Sequence, residues 1–355
     1  MTTGAKYLER PLLGGQVNFP LCLAPMVGLS HVALRLLVRK YTPAGVCTPW
    51  PTEMLSSWKL PREEVGQTLE TLRADEFPLV PQILGNEELP IAQSVAKLAD
   101  WGAAGIDINM GCPVRKALKH NYGVALMGDA TYAAEVVRLT VRNARGLPVS
   151  VKLRAGLQND EAFLLRFVQG LEEAGAAWIT LHPRLASQQR RGAADWTQIR
   201  RVRETLRIPV VGNGDVQCCE DVFTMFDVSA ADAVMVGRAL AARPWLMWQV
   251  GERLGFAPPT GFEGRLAPAS DVEEGAEFGQ ACLYLLDVLE EYFEFAEGAK
   301  RFRFHLRVTC GWLEFGHALS ARLARGDSYA DLRASVTEFF SSSSQRMFKR
   351  TNLRQ

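Results

Sequence analysis

The chain has 355 residues, of which 48% are hydrophobic and 22% charged, with a formal net charge of +1. This composition is that of a globular protein with a large core, and the length exceeds one ordinary domain. No stretch approaches the ~20 apolar residues that cross a bilayer, and the N-terminus lacks the apolar core of a secretory signal. The seven cysteines form no CxxC pair, so we expect a cytoplasmic protein without disulfides or a metal site.

Short apolar runs alternate with segments of helical periodicity from residue 21 onwards. Before them, Gly14-Gly15 suggests the turn of a short hairpin. The runs predicted as strands cover residues 21–24, 45–54, 79–85, 106–108, 149–154, 178–182, 209–215 and 233–238. The helices between them are predicted near residues 30–38, 88–101, 131–144, 160–174 and 196–206. Ser30 is the predicted cap of the first helix.

Eight strand-and-helix units in strict alternation predict a parallel sheet in an α/β protein. A closed (β/α)8 TIM barrel of ~250 residues accounts for residues 1–255 better than an open doubly wound sheet, and no GxGxxG follows the first strand. The segment 256–270 is rich in proline and glycine and is predicted to be a linker. Residues 271–355 show no strand alternation and are predicted to form an all-helical domain.

The charges of this helical domain are unevenly distributed. Residues 271–297 contain nine acidic residues and no Lys or Arg, whereas residues 300–355 contain eleven Lys or Arg and four acidic residues, a net +7. Lys300, Arg301, Arg303 and Arg307 cluster near a predicted helix start, and such clusters suit phosphate backbones. Pairing of acidic with basic helix faces inside the domain is the alternative, and charge alone favours it.

The fourth strand ends in the sequence Asn109-Met110-Gly111-Cys112-Pro113, which places a thiol on a sharp turn. In a βα-barrel, the carboxyl ends of the strands carry the active site. A cysteine there could protonate a substrate or attack it. The alternative is that Cys112 is a small buried hydrophobic residue.

Glycines follow the seventh and eighth strands, in Asn213-Gly214-Asp215 and Gly237-Arg238. Glycines at these two positions let backbone amides approach a phosphate, at the usual phosphate site of such barrels. Arg238 could add a charged fork to that site. Two ordinary glycine turns are the alternative.

Polar side chains at other strand ends fit a flavin. Lys152, if it points inward, needs an acceptor such as a ring that gains negative charge on reduction; a lysine that reaches the rim is the alternative. Gln82 matches the pyrimidine edge of a flavin, and His182 could bind the same ring, although each alone is more often a satisfied structural group. Pro25-Met26 would form an apolar wall.

Taken together, these residues resemble the flavin-dependent dihydrouridine synthase family, over about residues 20–250. The combination of an N-x-G-C-P turn with K-x-R-x-G and N-G-D is specific. The matching segments are Ala24–Gly28 with Arg35, Thr52–Met54, Gln82–Gly85, Asp107–Pro113 with Lys116, Val151–Gly156, His182–Arg184 with Gly192 and Ala194–Trp196, Asn213–Asp215, and Gly237-Arg238.

The resemblance implies an FMN-dependent oxidoreductase that reduces uridine in RNA, most often tRNA, to 5,6-dihydrouridine, with NADPH as a transient reductant. Reduced FMN would deliver hydride to C6 of the flipped base, and Cys112 would protonate C5 as a general acid. The implied cofactor ligands are Pro25, Met26, Val27, Gln82, Lys152, His182, Asn213, Gly214, Asp215, Gly237 and Arg238. The implied RNA contacts are Asn109, Lys116, Arg154, Arg184, Lys300, Arg301 and Arg303, in an enzyme expected to be a monomer.

Three segments depart from the family pattern. Ser30-His31 stands where the family has Thr or Ser followed by Asp. The usual His-Gly-Arg-Thr is His182-Pro183-Arg184-Leu185 in this sequence. The segment from Lys119 to Gly123 is bulkier than usual, so substrate choice could shift, for example towards ribosomal RNA. Two other functions remain open: an FMN barrel oxidoreductase for a small molecule, and a catalytically silent RNA-binding barrel.

Overall fold

A computed structural model describes residues 7–342 and 345–352, without the side chains of residues 115, 116 and 342. Its centre is one sheet of eight parallel strands in the order β1-β8-β7-β6-β5-β4-β3-β2. The strands are β1 Leu21–Leu23, β2 Trp50–Ser56, β3 Leu79–Leu84, β4 Ile106–Met110, β5 Val149–Gly156, β6 Trp178–Leu185, β7 Val210–Asn213 and β8 Ala233–Val236. The predicted α/β barrel is confirmed.

Helices follow the strands and surround the sheet. They are α1 Val32–Lys40, α2 Glu88–Asp100, α3 Arg115–Lys119, α4 Ala130–Asn143, α5 Glu161–Glu173, α6 Trp196–Thr205, α7 Cys219–Ser229, α8 Arg238–Ala242, α9 Leu246–Arg253, α10 Asp271–Tyr292, α11 Phe295–Thr309, α12 Gly316–Arg322 and α13 Tyr329–Ser342. Apolar residues recur with helical spacing on the faces that these helices bury, as in the sequence pattern.

The barrel is nearly closed, and the gap lies between β1 and β2. Pro49 and Pro51 flank Trp50 at the start of β2, and proline has no N–H to donate to a neighbouring strand. Single hydrogen bonds join the segments at this gap: the Thr48 hydroxyl donates to the Leu21 carbonyl at 2.7 Å, and the Asn18 N–H donates to the Cys47 carbonyl at 3.1 Å. The N–H of Trp50 instead donates to the Pro78 carbonyl on the β3 side, at 2.9 Å.

Three local predictions are wrong. The run 45–48 is not a strand, and β2 begins only at Trp50. His31, rather than Ser30, is the N-cap of α1, because its ring accepts from the Leu34 N–H. The Ser30 hydroxyl is already bonded to the Met26 and Thr52 backbone. A 3₁₀ turn at Leu13–Gly15, and no strand within residues 7–20, replaces the predicted hairpin.

The C-terminal helices share one buried apolar cluster with the barrel. Polar bonds cross the same contact: the Tyr41 hydroxyl donates to Glu277 of α10 at 2.6 Å, and Arg243 pairs with Glu274 at 2.7 Å. Phe262 of the predicted linker packs against Tyr41 and Trp248. The segment 256–270 is therefore packed on the barrel rather than extended into solvent.

Many of the unevenly distributed charges are paired. Arg333 of α13 bonds to Asp287 and Glu290 of α10, which confirms pairing of acidic and basic faces within the helical region. Arg301 of α11 reaches the barrel, where it pairs with Glu53 at 2.9 Å. In the described ranges, none of the helices combines the length and apolar character needed to cross a membrane.

Candidate active site at the carboxyl ends of the strands

Two adjoining clefts open where the parallel strands end. The larger has a volume of about 440 Å³ and the smaller about 200 Å³. Both are lined by Pro25, Val27, Cys112, Lys152 and Arg154, so they form one continuous site. This is the size range of small-molecule and cofactor pockets.

The structure brings nearly all of the predicted cofactor ligands together. The larger cleft is lined by Pro25, Met26, Val27, Lys152, His182, Asn213, Gly214, Asp215, Gly237 and Arg238. Gln82 lines the smaller cleft with Asn109. Strand ends that are distant in the sequence converge here because all eight strands run in parallel.

The glycine-containing end of the larger cleft is held by a partly buried ion pair. Arg184 bonds to both carboxylate oxygens of Asp215 at 2.7 Å and to the Gly192 carbonyl at 2.6 Å. A Cβ atom on Gly214 would lie 2.8 Å from Cδ2 of His182, and its φ is +114°, so only glycine fits this approach. Arg184 therefore lines the larger cleft and supports its wall through Asp215 and Gly192, and its predicted RNA contact stays a prediction.

Positive charge concentrates at this end. Burial, followed by the charges of Arg190 and Arg184, lowers the pKa of Arg238 to about 10. Arg190 lines the same cleft and was not predicted from the sequence. Its position in a polar loop after β6 gave no periodic signal. Guanidinium groups at a glycine-lined pocket end favour an anionic group such as a phosphate.

Lys152 points into the site from β5. Among the described residues, no side chain or carbonyl forms a hydrogen bond with its ammonium group. Burial, followed by the charge of Arg154, lowers the pKa of Lys152 to about 8, while Asp107 opposes this shift. A half-buried ammonium without a bonded acceptor is suited to a ligand oxygen or a negatively charged ring.

His182 lies beside Lys152 at the end of β6. Burial and the surrounding cations, Lys152 first, hold the pKa of His182 well below its usual range, so the imidazole is neutral. Its Nε2 lies 3.1 Å from the Arg184 guanidinium, which can only donate. The ring proton is therefore on Nδ1, and His182 is available as a neutral hydrogen-bonding group.

The turn that carries Cys112 is fixed from two sides. The side-chain oxygen of Asn109 accepts from the backbone N–H groups of Gly111 at 3.1 Å and Cys112 at 2.9 Å. On the other side, a Cβ on Gly123 would lie 2.9 Å from the Cys112 carbonyl oxygen. The segment that departs from the family pattern thus packs directly against this turn.

A buried hydrogen-bonded chain extends from Asn109 into the barrel. The Asn109 amide N–H donates to the Gln82 oxygen at 2.8 Å, and the Gln82 amide N–H donates to Asp107 at 2.7 Å. Ser150 donates to the other Asp107 oxygen at 2.6 Å. Burial raises the pKa of Asp107, and these two hydrogen bonds oppose the rise. The register aligns Gln82 with Asp107 and Asp107 with Ser150 on neighbouring strands.

Arg154 connects the Cys112 turn to the loop after β6. Its guanidinium donates to the Gly111 carbonyl at 2.9 Å and to the Gln189 carbonyl at 3.0 Å. The side chain is 9% exposed and lines both clefts. Its present bonds position the loops around the site.

One wall of the larger cleft comes from the C-terminal helices. Phe304 and Val308 of α11 line it, and a Cβ on Gly28 would lie 2.8 Å from Cε1 of Phe304. The Glu53 carboxylate bridges the same contact, since it accepts from the Gly28 N–H at 2.9 Å and pairs with Arg301. The sequence analysis did not predict this wall. Its only signal in the sequence was that aromatic residues are interleaved with basic ones.

The remaining predicted RNA contacts differ in their surroundings. Lys300 is 77% exposed, whereas Arg301 is 8% exposed and paired with Glu53 and Glu297, so Arg301 is an interior residue and not a surface contact. Arg303 donates to the Leu323 and Gly326 carbonyls. Lys116 belongs to α3, but its side chain lies outside the described residues.

The sequence matches the family model of dihydrouridine synthase (Dus) over residues 22–334. It is 37% identical over 241 residues to a "Probable tRNA-dihydrouridine synthase" of Rhizobium leguminosarum bv. phaseoli, covering 67% of this chain and 72% of that protein. It is 30% identical over 308 residues to the protein of the same name in Rickettsia bellii, covering 86% of this chain and 89% of that protein.

Solved structures share the fold at low sequence identity. A 2-naphthoyl-CoA reductase complex superposes with a TM-score of 0.52 and 10% identity, over 73% of this chain and 54% of that one. The structure of TcOYE with pHBA superposes with a TM-score of 0.50 and 11% identity, over 73% of this chain and 95% of that one. The fold and the site define an α/β-barrel enzyme with its pocket at the strand ends. The chain belongs to the dihydrouridine synthase family, and thus to the oxidoreductases.

Proposed function

We propose that this protein is an FMN-dependent enzyme that reduces uridine in tRNA to 5,6-dihydrouridine, with NADPH as the reductant. The observation that carries the proposal is the position of Cys112, which faces the same clefts as Lys152 and the glycine-lined, cationic end. Residues 1–255 would form the catalytic barrel of a cytoplasmic monomer, residues 256–270 the linker, and residues 271–355 the RNA-binding region.

The residues of the larger cleft fit FMN. Lys152 offers an ammonium with no bonded acceptor among the described residues, as a ring that becomes negative on reduction requires. Gly214, Gly237 and Arg238 would hold the phosphate, and Met26 would contact the ring face. When bound, the flavin supplies the hydride that reduces the base.

Cys112 would hold the proton that completes the reduction at C5 of the base. Asn109 fixes the turn through two backbone N–H groups, so the position of the thiol does not depend on its own side-chain contacts. Preorganisation of the donor close to the reacting carbon is the main requirement for general acid catalysis. The thiol would donate its proton and be reprotonated from solvent.

The cleft mouth suits a base that has left its stack. Val27 is 62% exposed and Val114 49% exposed, and both line the larger cleft, so they would cover the faces of an extruded base. Lys300 and Arg307 are exposed on α11 and would contact the RNA backbone.

The test is to purify the protein, record its visible spectrum, and map dihydrouridine in RNA from cells with and without the gene. We expect a flavin spectrum and the loss of one or more tRNA dihydrouridines in the deletion strain. A flavin spectrum with every tRNA dihydrouridine intact would refute the tRNA activity. Loss confined to ribosomal RNA would reassign the substrate, and a colourless protein would leave an RNA-binding barrel.

A further inference from the structure

We propose that Asp107 and Asn109 set the direction of a hydrogen-bonded chain that makes the pocket beside Cys112 select a ring carbonyl over a ring amino group, and hence uracil over cytosine. This inference rests on the proposed function for its choice of a pyrimidine base. It adds a specificity-determining residue, Asp107, that lies below the site and does not contact the base. The chain runs Ser150, Asp107, Gln82, Asn109, Cys112.

The direction of the chain is fixed at the Asn109 end by backbone geometry. Backbone N–H groups can only donate, so the Asn109 atom that faces Gly111 and Cys112 must be its oxygen. Its NH₂ group therefore faces Gln82 and donates to it at 2.8 Å. The Gln82 atom at this contact must then be the oxygen.

The same direction follows from the buried end. Asp107 is 6% exposed and accepts from Ser150 and from Gln82 at 2.6 and 2.7 Å. In its ionised form Asp107 can only accept, so a reversed Gln82 amide would then place its oxygen against a carboxylate oxygen. Both ends of the chain therefore require the same orientation of Gln82.

The consequence appears at the surface of the smaller cleft, which Gln82, Asn109, Cys112 and Lys152 line together. The Asn109 oxygen already accepts two hydrogen bonds, so both of its lone pairs are used. Its second amide N–H has no bonded partner in the described part of the chain. Asn109 thus offers a ligand only a donor, and Lys152 does the same.

The donors of Asn109 and Lys152 discriminate between the two pyrimidines. Uracil carries a carbonyl at C4, which needs a hydrogen-bond donor, whereas cytosine carries an amino group there, which needs an acceptor. A cytosine amino group against the Asn109 N–H would leave two donors facing each other without an acceptor. A buried donor without a partner costs enough to change an affinity about tenfold.

Exchanging the residues at positions 107 and 109 would reverse the direction of the hydrogen-bonded chain and keep every bond in it. In the double variant Asn109→Asp, Asp107→Asn, the carboxylate at position 109 still accepts from both backbone N–H groups and also from Gln82. The Gln82 oxygen then accepts from the amide at position 107, whose oxygen accepts from Ser150. Charge and side-chain volume are nearly unchanged, but position 109 now presents an acceptor.

The two single variants are the matched controls. Asn109→Asp alone puts carboxylates at both ends of Gln82, so one of the two Gln82 contacts is repulsive and strains the side chain that holds the Cys112 turn. Asp107→Asn alone keeps the direction, because the new amide oxygen can still accept from Gln82. We therefore expect the first single variant to be the more damaging one, and the second substitution to rescue it.

The experiment measures the rate at which iodoacetamide alkylates Cys112 in the purified full-length protein, with mass spectrometry to identify the site and Cys112→Ala as the blank. UMP and CMP are added as protecting probes. In the wild type, UMP should protect at about tenfold lower concentration than CMP. Asn109→Asp should change the unprotected rate severalfold, and Asp107→Asn should stay near the wild type. The double variant should lie between the two, because its bonds are restored but its carboxylate now adjoins the Cys112 turn.

In the double variant, CMP should protect better than UMP. The inference is overturned if the double variant is alkylated like Asn109→Asp, if it keeps the preference for UMP, or if neither nucleotide protects the wild type. Failure of the proposed function would be seen in other measurements, as a colourless protein or as unchanged dihydrouridine in RNA. The alkylation assay measures neither of these.

Discussion

At the scale of single residues, the site is a set of groups whose chemistry is decided by what each already binds. Lys152 and Asn109 keep donors for a ligand, whereas Arg184 and Asp215 neutralise each other. The neutral state of His182 follows from the cations around it. Arg184 and Arg238 both line the cleft, and the charge of Arg184 is already used by Asp215.

Replacement of Cys112 by alanine should abolish most turnover and leave flavin binding intact. The thiol is the proposed proton donor, and loss of a positioned acid typically slows a reaction about 10²- to 10⁴-fold. Single-turnover oxidation of the reduced enzyme by RNA would measure the effect. Flavin content serves as the control, and undiminished turnover in Cys112→Ala would remove this residue from the mechanism.

The affinity for FMN should fall as the pH rises through about 8, since Lys152 loses its proton there in the free protein. Its pKa lies below the ordinary value, so deprotonation begins earlier than for an exposed lysine. Above this pH the dissociation constant should rise by up to about tenfold per pH unit. Fluorescence titration from about pH 7 to about pH 9 would measure it.

Two substitutions at the same position separate this charge effect from general damage. Lys152→Arg should keep its charge and give a flat pH profile, and Lys152→Met should bind weakly at every pH. A wild-type profile without any change near pH 8 would show that the ammonium does not contact the cofactor.

At the scale of secondary-structure elements, α11 both lines the larger cleft and forms an ion pair with the barrel. Its Phe304 closes the larger cleft against Gly28, and its Arg301 pairs with Glu53 in β2. The side chains of Arg301 and Glu53 are 8% and 6% exposed, so this ion pair is screened from solvent. The helix therefore forms part of the wall of the larger cleft.

Breaking this ion pair from one side should destabilise the protein. Arg301→Met leaves the buried Glu53 carboxylate without its cation, which costs about 3–5 kcal/mol in comparable sites. Glu53→Gln should cost less, because Arg301 keeps its second ion pair with Glu297. Urea denaturation would measure the loss, and the double variant should recover part of it. Arg333→Met is the control, because its partners Asp287 and Glu290 are half exposed and such pairs contribute at most about 1 kcal/mol.

At the scale of the whole molecule, the positive charge of the C-terminal part is divided between interior pairs and surface contacts. Arg301 and Arg243 hold the helices on the barrel, whereas Lys300 and Arg307 remain exposed on α11. Net charge therefore overstates the surface that RNA can contact. Only the exposed groups can release counterions when RNA binds.

Lys300→Ala and Arg307→Ala should each weaken RNA binding and reduce the salt dependence by about one unit of slope. The measurement is the RNA dissociation constant at several salt concentrations. Arg303→Ala is the contrasting variant, since its bonds to the Leu323 and Gly326 carbonyls support the fold and its loss should lower stability. An unchanged salt slope for both surface variants would place the RNA elsewhere.

The sequence by itself determined the barrel and the neighbourhood of the site. Strand and helix periodicity is local, and parallel strands bring their carboxyl ends to one edge, so Cys112, Lys152 and Gly214 could be placed together in advance. Only the tertiary structure decided which charged groups are used internally, because partners such as Glu53 and Arg301 lie 248 residues apart. It also decided the direction of the Asp107–Gln82–Asn109 chain, since that depends on strand register and on which backbone groups face Asn109.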